Sequence, residues 1–144
     1  MSGAAVYWAD RMPTPPAQTG PDLEALLTRV FLQAADPGPA RARLALRFLQ
    51  TQPDACVLVD GRSGESVVTT GEAARLGEAD LTFHLSGPAA HAFWRGDLNP
   101  VAAMTAGTLR IDGPLLKALT LAPGLKLVQA AYREATDGQE RERA

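Results

Sequence analysis

The stretch from Gly96 to Gly113, GDLNPVAAMTAGTLRIDG, constrains the fold more than any other part of the chain. Asn99 can act as a helix N-cap, and Pro100 suits the first helical position because an N–H there would have no partner. The flanking glycines are typical of helix ends. From Thr108 to Ile111, polar and apolar residues alternate with the period of a half-buried strand. The stretch therefore predicts a helix end, a short helix, a strand and a turn with few linking residues.

Alternating residues predict strands elsewhere in the chain as well. They occur in RLALRF at 43–48, in ADLTFHLS at 79–86, and in a hairpin formed by ACVLVD at 55–60 and SVVTT at 66–70. The strands outside the hairpin each have one polar face, and these faces carry Arg43, Arg47, Thr82, His84 and Arg110. We expect a mostly antiparallel, twisted sheet of about five strands whose polar face contacts water.

Helices are predicted to cover the other face of this sheet. Residues 21–35 carry an amphipathic stripe made of Leu23, Leu26, Leu27, Val30 and Phe31. Further helices are predicted at 86–94, 114–121 and 123–135, because each begins with a serine or proline that suits a helix N-terminus. The predicted fold class is α+β, with two layers: one sheet and the helices on one of its faces.

The length of 144 residues fits one globular domain, and 46% hydrophobic residues are enough for a core. We divide the chain into a flexible N-terminal arm at 1–20, a folded domain at 21–135 and a charged C-terminal tail at 136–144. Tyr7 and Trp8 in the arm leave two interpretations open. They dock on the body or on a second subunit, or they are exposed rings in a mobile arm.

Charge and cysteine content narrow the class of protein further. The formal net charge of −2 provides no basic surface for nucleic acid. With one cysteine the chain forms no internal disulfide, and no segment has the pattern of a signal peptide or the length of a membrane span. The sequence therefore predicts a cytoplasmic protein that does not bind nucleic acid.

Reactive side chains are sparse in the sequence. Ser63 lies in GRSGE, where the glycine spacing differs from that of a hydrolase nucleophile elbow. Cys56 lies in an apolar strand, which is typical of a buried, unreactive thiol. His84 and His91 lack the spacing and the acidic or cysteine neighbours of a metal site. We therefore expect no catalytic residue, no metal and no cofactor, and a protein that is not an enzyme.

The stretch that begins at Gly96 resembles the signature of the sterol carrier protein family, the nonspecific lipid-transfer domains. That signature is a Gly-x-Leu-Asn-Pro turn, a short helix and a glycine-bounded strand. The matching positions are Gly96, Leu98, Asn99, Pro100, Ala103, Gly107, Leu109, Ile111 and Gly113. Upstream, ADLTFHLS is similar to the Ala-Asp-x-Thr strand of the family, and the resemblance covers about 21–135. Met104 stands in place of the usual aromatic residue, and Asp97 and Thr108 replace customary lysines.

The resemblance implies a twisted sheet covered by helices, with an apolar tunnel between the layers that shields a lipid from water. Such a tunnel needs no catalytic group, because apolar burial supplies the binding free energy. The residues predicted to line it are Phe83, Leu85, Phe93, Trp94, Met104, Leu109, Ile111, Leu119 and Leu125. The predicted function is non-catalytic binding or transfer of a fatty acyl, sterol-like or isoprenoid lipid.

Two other functions stay open on the sequence. The chain could be an accessory domain that docks a partner enzyme or presents a lipophilic intermediate to it. It could also be a small enzyme whose site residues follow no familiar pattern. Transient contact with a membrane and formation of a homodimer are compatible with each of these functions.

Overall fold

The computed structural model describes residues 19–143, with side chains up to residue 137, so Tyr7 and Trp8 lie outside the described residues. These residues form six helices and five strands. In chain order they are α1 (Gly20–Ala34), α2 (Gly38–Ala42), β1 (Ala45–Thr51), β2 (Ala55–Asp60), β3 (Val67–Thr70), α3 (Gly71–Leu76), β4 (Leu81–Ser86), α4 (Gly87–Arg95), α5 (Pro100–Ala106), β5 (Leu109–Asp112) and α6 (Leu115–Arg143).

The five strands form one sheet in the order β3-β2-β1-β4-β5. Neighbouring strands are antiparallel except for the central pair, β1 and β4, which run parallel with Leu46 opposite Leu81. The parallel pair arises because the β2–β3 hairpin and α3 return the chain to the end of the sheet where β1 began. The predicted α+β fold with a mostly antiparallel sheet of five strands is confirmed, and the sheet is mixed.

Helices α1, α4 and α6 pack on one face of the sheet and bury the main core. Leu26, Val57 and Val128 come from three different elements of this core, and each is at most 2% exposed. Aromatic rings lie at its centre, where the Phe48 ring is 4.9 Å from the centroids of both Phe83 and Trp94. This layer of rings separates the sheet from the helices.

The segment around α5 folds locally as its sequence predicts. The Asn99 side-chain oxygen accepts hydrogen bonds from the backbone N–H groups of Val101 and Ala102, at 2.9 and 3.1 Å. Gly96 and Gly107 end α4 and α5 with φ angles of 80° and 82°, a left-handed conformation that glycine adopts without a steric penalty. Short helix α5 is therefore fixed at both of its ends.

The two predicted helices at 114–121 and 123–135 are a single helix, so this prediction was wrong. Helix α6 runs from Leu115 to Arg143 and contains Pro123. Pro123 is exposed and removes one helical hydrogen bond, the one that the Leu119 carbonyl would accept. The turns on both sides of it are held by burial, because Leu121 is 5% and Val128 0% exposed.

The same helix continues beyond residue 135. Thr136 is 1% exposed, and its hydroxyl donates a 2.9 Å hydrogen bond to the Tyr132 carbonyl. At the other end of the described chain, the Thr19 side chain accepts a hydrogen bond from the Asp22 N–H and caps α1. None of the helices within residues 19–143 is long and apolar enough to cross a membrane.

The opposite face of the sheet differs from the expected water-covered surface. Helix α3 covers part of it, and its Ala74 packs in a second small core with Ala45, Cys56 and Leu58. Arg47 lies beside this core and donates hydrogen bonds to the carbonyl oxygens of Ala74 and Gly77, as well as to the Thr82 hydroxyl. The expectation of a solvated side chain is therefore wrong for Arg47. The six-residue helix α3 is too short to show an apolar period in the sequence.

Candidate functional site

An apolar cavity of about 200 Å³ lies between the sheet and the helices. Strands β1, β4 and β5 supply one wall with Leu46, Phe48, Phe83, Leu109 and Ile111. Helices and the loop between α1 and α2 supply the rest with Phe31, Asp36, Pro39, Phe93, Pro100, Val101, Met104, Leu115, Ala118, Leu119, Leu121, Ala122, Leu125 and Val128. The cavity thus lies over the half of the sheet where β4 pairs with β5.

The cavity reaches the surface beside α5 and the first turns of α6. Four of its lining residues, which we call the apolar rim, remain substantially exposed: Val101 (74%), Met104 (37%), Leu115 (48%) and Leu119 (59%). Scattered apolar side chains are common on protein surfaces, whereas contiguous apolar patches mark binding sites. The rim therefore borders an opening of the cavity beside α5 and α6.

The structure brings together seven of the nine residues that the sequence predicts to line a lipid site. Phe83, Phe93, Met104, Leu109, Ile111, Leu119 and Leu125 all line the cavity. They come from β4, β5, α4, α5 and α6, so two strands and three helices contribute to the wall of the cavity. Their contact with a ligand stays a prediction.

Leu85 and Trp94 do not line this cavity, so the structure corrects these two assignments. Both line a separate space of about 10 Å³, which is about the size of one probe sphere of water. Trp94 follows Phe93 by one helical position, about 100° around the helix, and so points to a different side of α4. It is 1% exposed and packs edge-on against Phe48 and Phe93, as an ordinary core residue does.

Sequence reasoning missed several lining residues, and most had a signal. Phe31 belongs to the predicted apolar stripe of α1, and Phe48 to the apolar face of β1. Val101 directly follows the Asn99–Pro100 cap, which placed it on the same short helix as Met104. Asp36 had no such signal, because in the sequence it reads as a residue of the turn that ends α1.

Among the described residues, Asp36 is the one charged side chain that lines the cavity. Its Oδ1 accepts a 2.8 Å hydrogen bond from the backbone N–H of Gly38. A Cβ atom at position 124 would overlap the Asp36 carboxylate, so Gly124 is what lets this carboxylate approach α6. The ion pairs found among residues 19–137 do not include Asp36. Within residues 19–137, the cavity wall therefore carries one carboxylate that takes part in no ion pair.

The volume of the cavity limits what fits inside it without rearrangement. An apolar cavity of about 150 Å³ in another protein holds benzene, and pockets for larger ligands begin at about 300 Å³. A cavity of about 200 Å³ accepts a compact apolar group or part of a chain. A longer ligand would extend past the apolar rim or displace α5.

The other polar clusters lie away from the cavity. His91 Nδ1 and the Tyr132 hydroxyl are 2.7 Å apart in the core, and burial raises the pKa of Tyr132. On the opposite face of the sheet, His84 Nε2 lies 2.7 Å from Asp112 Oδ2, and this hydrogen bond lowers the pKa of Asp112. Among the described residues, no three His, Cys, Asp or Glu side chains are grouped as metal ligands.

Solved structures with the same architecture exist at low sequence identity. Sterol carrier protein 2 from Yarrowia lipolytica, in its apo form, matches with a TM-score of 0.58 and 18% identity over 82% of this chain and 97% of that one. Sterol carrier protein domain 2 of Helicoverpa armigera matches with a TM-score of 0.59 and 17% identity, over 82% and 94% of the two chains. A Thermus thermophilus protein, described as possibly sterol carrier protein, matches with a TM-score of 0.58 and 14% identity, over 85% of this chain and 92% of that one.

These matches rest on three-dimensional structure. No protein-family model and no curated protein sequence matches the chain. At identities below one fifth, the three-dimensional fold carries the similarity, which extends over nearly the whole length of the two named sterol carrier proteins. The chain therefore has the fold of a sterol carrier protein 2-like domain.

Proposed function

We propose that the protein binds a lipid or another apolar small molecule in the cavity and carries it without chemical change. One observation carries the proposal: an apolar cavity of about 200 Å³ that ends at a rim of exposed apolar side chains. The sterol carrier protein fold supports it, as do the seven predicted residues that line the cavity. The proposal places the protein in the cytoplasm, consistent with its single cysteine.

Apolar burial alone is sufficient for binding of this kind. Each buried methylene contributes about 0.8 kcal/mol before the costs of ordering, so the binding free energy grows with the length of chain that the cavity and its rim cover. No catalytic side chain or metal ion takes part. The polar end of the ligand then requires only one or two groups at the wall of the cavity.

Substitution of Met104 by tryptophan tests the proposal, because added volume affects a cavity and a filled core in opposite ways. Extra methylenes in a close-packed core cost about 1 to 3 kcal/mol, whereas a cavity accommodates them. Met104→Trp should therefore fold with near-normal stability. It should weaken binding of the neutral apolar dye N-phenyl-1-naphthylamine at least tenfold, about 1.4 kcal/mol, in a fluorescence titration.

Leu76→Trp is the matched control for this experiment. Leu76 is 78% exposed at the end of α3, on the opposite face of the sheet, and does not line the cavity. The Leu76→Trp variant adds the same indole group as Met104→Trp without filling the cavity, so its dye binding should equal that of the wild type.

Absence of dye binding by the wild type, together with unfolding of Met104→Trp, would overturn the proposal. Met104 would then be an ordinary packed residue. The exposed side chains of Val101 and Leu116, at 74% and 78%, would in that case favour the accessory domain that docks a partner enzyme.

A further inference from the structure

A second cavity of about 150 Å³ adjoins the first. The two cavities share three wall residues, Phe31, Asp36 and Pro39. Leu32 and Ser66 also line the second cavity, and both are exposed, with Leu32 at 65%. The second cavity therefore opens to solvent on its own side, and Asp36 lies at the junction between an apolar interior and this opening.

Asp36, in the loop between α1 and α2, contacts α6 at a point beyond the apolar rim. Its carboxylate lies against Gly124, which is about 7.5 Å along the helix axis from the rim residue Leu119 and about 13.5 Å from the rim residue Leu115. An extended apolar chain can thus occupy the first cavity while its polar end reaches Asp36.

The chemistry of an unpaired carboxylate restricts which polar end is accepted. Hydrogen bonds from a hydroxyl or ammonium group to an ionised carboxylate are short and strong. A ligand carboxylate at the same place would set two like charges side by side in a partly dehydrated site, which is unfavourable. The Gly38 N–H cannot offset this repulsion, because it already donates its hydrogen bond to Oδ1 of Asp36.

We infer that Asp36 is a specificity-determining residue that selects lipids with a hydrogen-bond-donating head, a hydroxyl or an ammonium group, over lipids with a carboxylate head. This inference rests on the proposed function, because the tail of such a lipid would occupy the apolar cavity. It excludes free fatty acids as preferred ligands and favours long-chain alcohols, hydroxylated ring lipids and amines.

Asp36 also has a structural role that the test must preserve. Its hydrogen bond from Gly38 shapes the turn between α1 and α2. Asp36→Asn keeps the side-chain oxygen that accepts this hydrogen bond, removes the charge and replaces the other oxygen with an NH2 donor. Asp54→Asn is the control for a change in total charge, because Asp54 is exposed in the turn between β1 and β2 and lines neither cavity.

The experiment compares three ligands with the same tail: 1-dodecanol, dodecylamine and dodecanoate. Each displaces N-phenyl-1-naphthylamine from the full chain at pH 7, below its critical micelle concentration. Wild type and Asp54→Asn should bind dodecanol and dodecylamine at least tenfold more tightly than dodecanoate. In Asp36→Asn, with melting temperature unchanged, the ratio of dodecylamine to dodecanoate affinity should fall at least tenfold.

Two results would overturn the inference while leaving the proposed function intact. One is binding of all three ligands by the wild type with no preference among heads. The other is a preference that Asp36→Asn retains. If neither the dye nor any of the three ligands binds to the wild type, the proposed function itself fails, and the inference fails with it.

Discussion

The two faces of the sheet receive side chains from the same strands, yet the large apolar cavity lies on one of them. On the face covered by α1, α4 and α6, aromatic rings pack at the centre, and the cavity lies beside them over β4 and β5. On the opposite face, the small residues Ala45, Cys56 and Ala74 let α3 pack directly on the strands. Small side chains let α3 approach the strands closely, whereas the aromatic-rich face includes an unfilled region beside its rings.

The helix-covered face itself has a filled part and an open part. Trp94 is 1% exposed, with ring centroids 4.9 Å from Phe48 and 5.0 Å from Phe93. Met104, on the open side, is 37% exposed and lines the cavity. Truncation of these two side chains to alanine measures how much the packing of each part contributes to the free energy of unfolding.

Trp94→Ala should have the largest effect on stability. Removal of a buried tryptophan should lower the free energy of unfolding by about 3 to 5 kcal/mol, measured by urea denaturation. Met104→Ala, as the comparison, should lower it by less than about 1 kcal/mol, because Met104 is partly exposed and lines the cavity. Equal losses for the two variants would show that the cavity side is as tightly packed as the core.

Arg47→Gln should have the next largest effect and tests the opposite face. Arg47 donates to two backbone carbonyls and one hydroxyl, and glutamine is too short to reach all three. Hydrogen bonds to a charged group contribute about 1.5 to 3 kcal/mol, so we expect a loss of about 1 to 3 kcal/mol in the free energy of unfolding. Dye binding in the folded variant should be unchanged.

Arg110→Gln is the control on the same face, with the smallest expected effect. The Arg110 side chain is 67% exposed and pairs with Asp112 at the surface. Exposed ion pairs contribute little, so the change should stay below about 0.5 kcal/mol. A loss equal to that of Arg47→Gln would contradict the distinction between a buried and a solvated arginine on this face.

The parts of the fold that the sequence predicted depend on local chemistry. The Asn99 cap, the glycines that end α4 and α5 and the alternation in β4 act over a few residues, so they can be recognised without knowledge of the fold. Gly96 and Gly107 adopt the left-handed conformation that this reasoning requires.

The errors arose where tertiary contacts determine the outcome. Pro123 predicts a helix break, but burial of Leu121 and Val128 on either side of it stabilises one continuous helix. Trp94 and Phe93 both look like lining residues, and only the rotation of α4 on the sheet separates them. Asp36 is the clearest case, since its place at the junction of two cavities depends on Gly124, 88 residues later in the chain.

A methyl NMR titration tests most directly that the helix-covered face binds an apolar ligand. The full chain, labelled at the methyl groups of Met, Ile, Leu and Val, would be titrated with 1-dodecanol. The account predicts saturable shifts at Met104, Leu109, Ile111, Leu119 and Leu125, with none at Leu49, Leu58 or Leu76 on the opposite face. Shifts confined to the opposite face, or no saturable shift on either face, would contradict it.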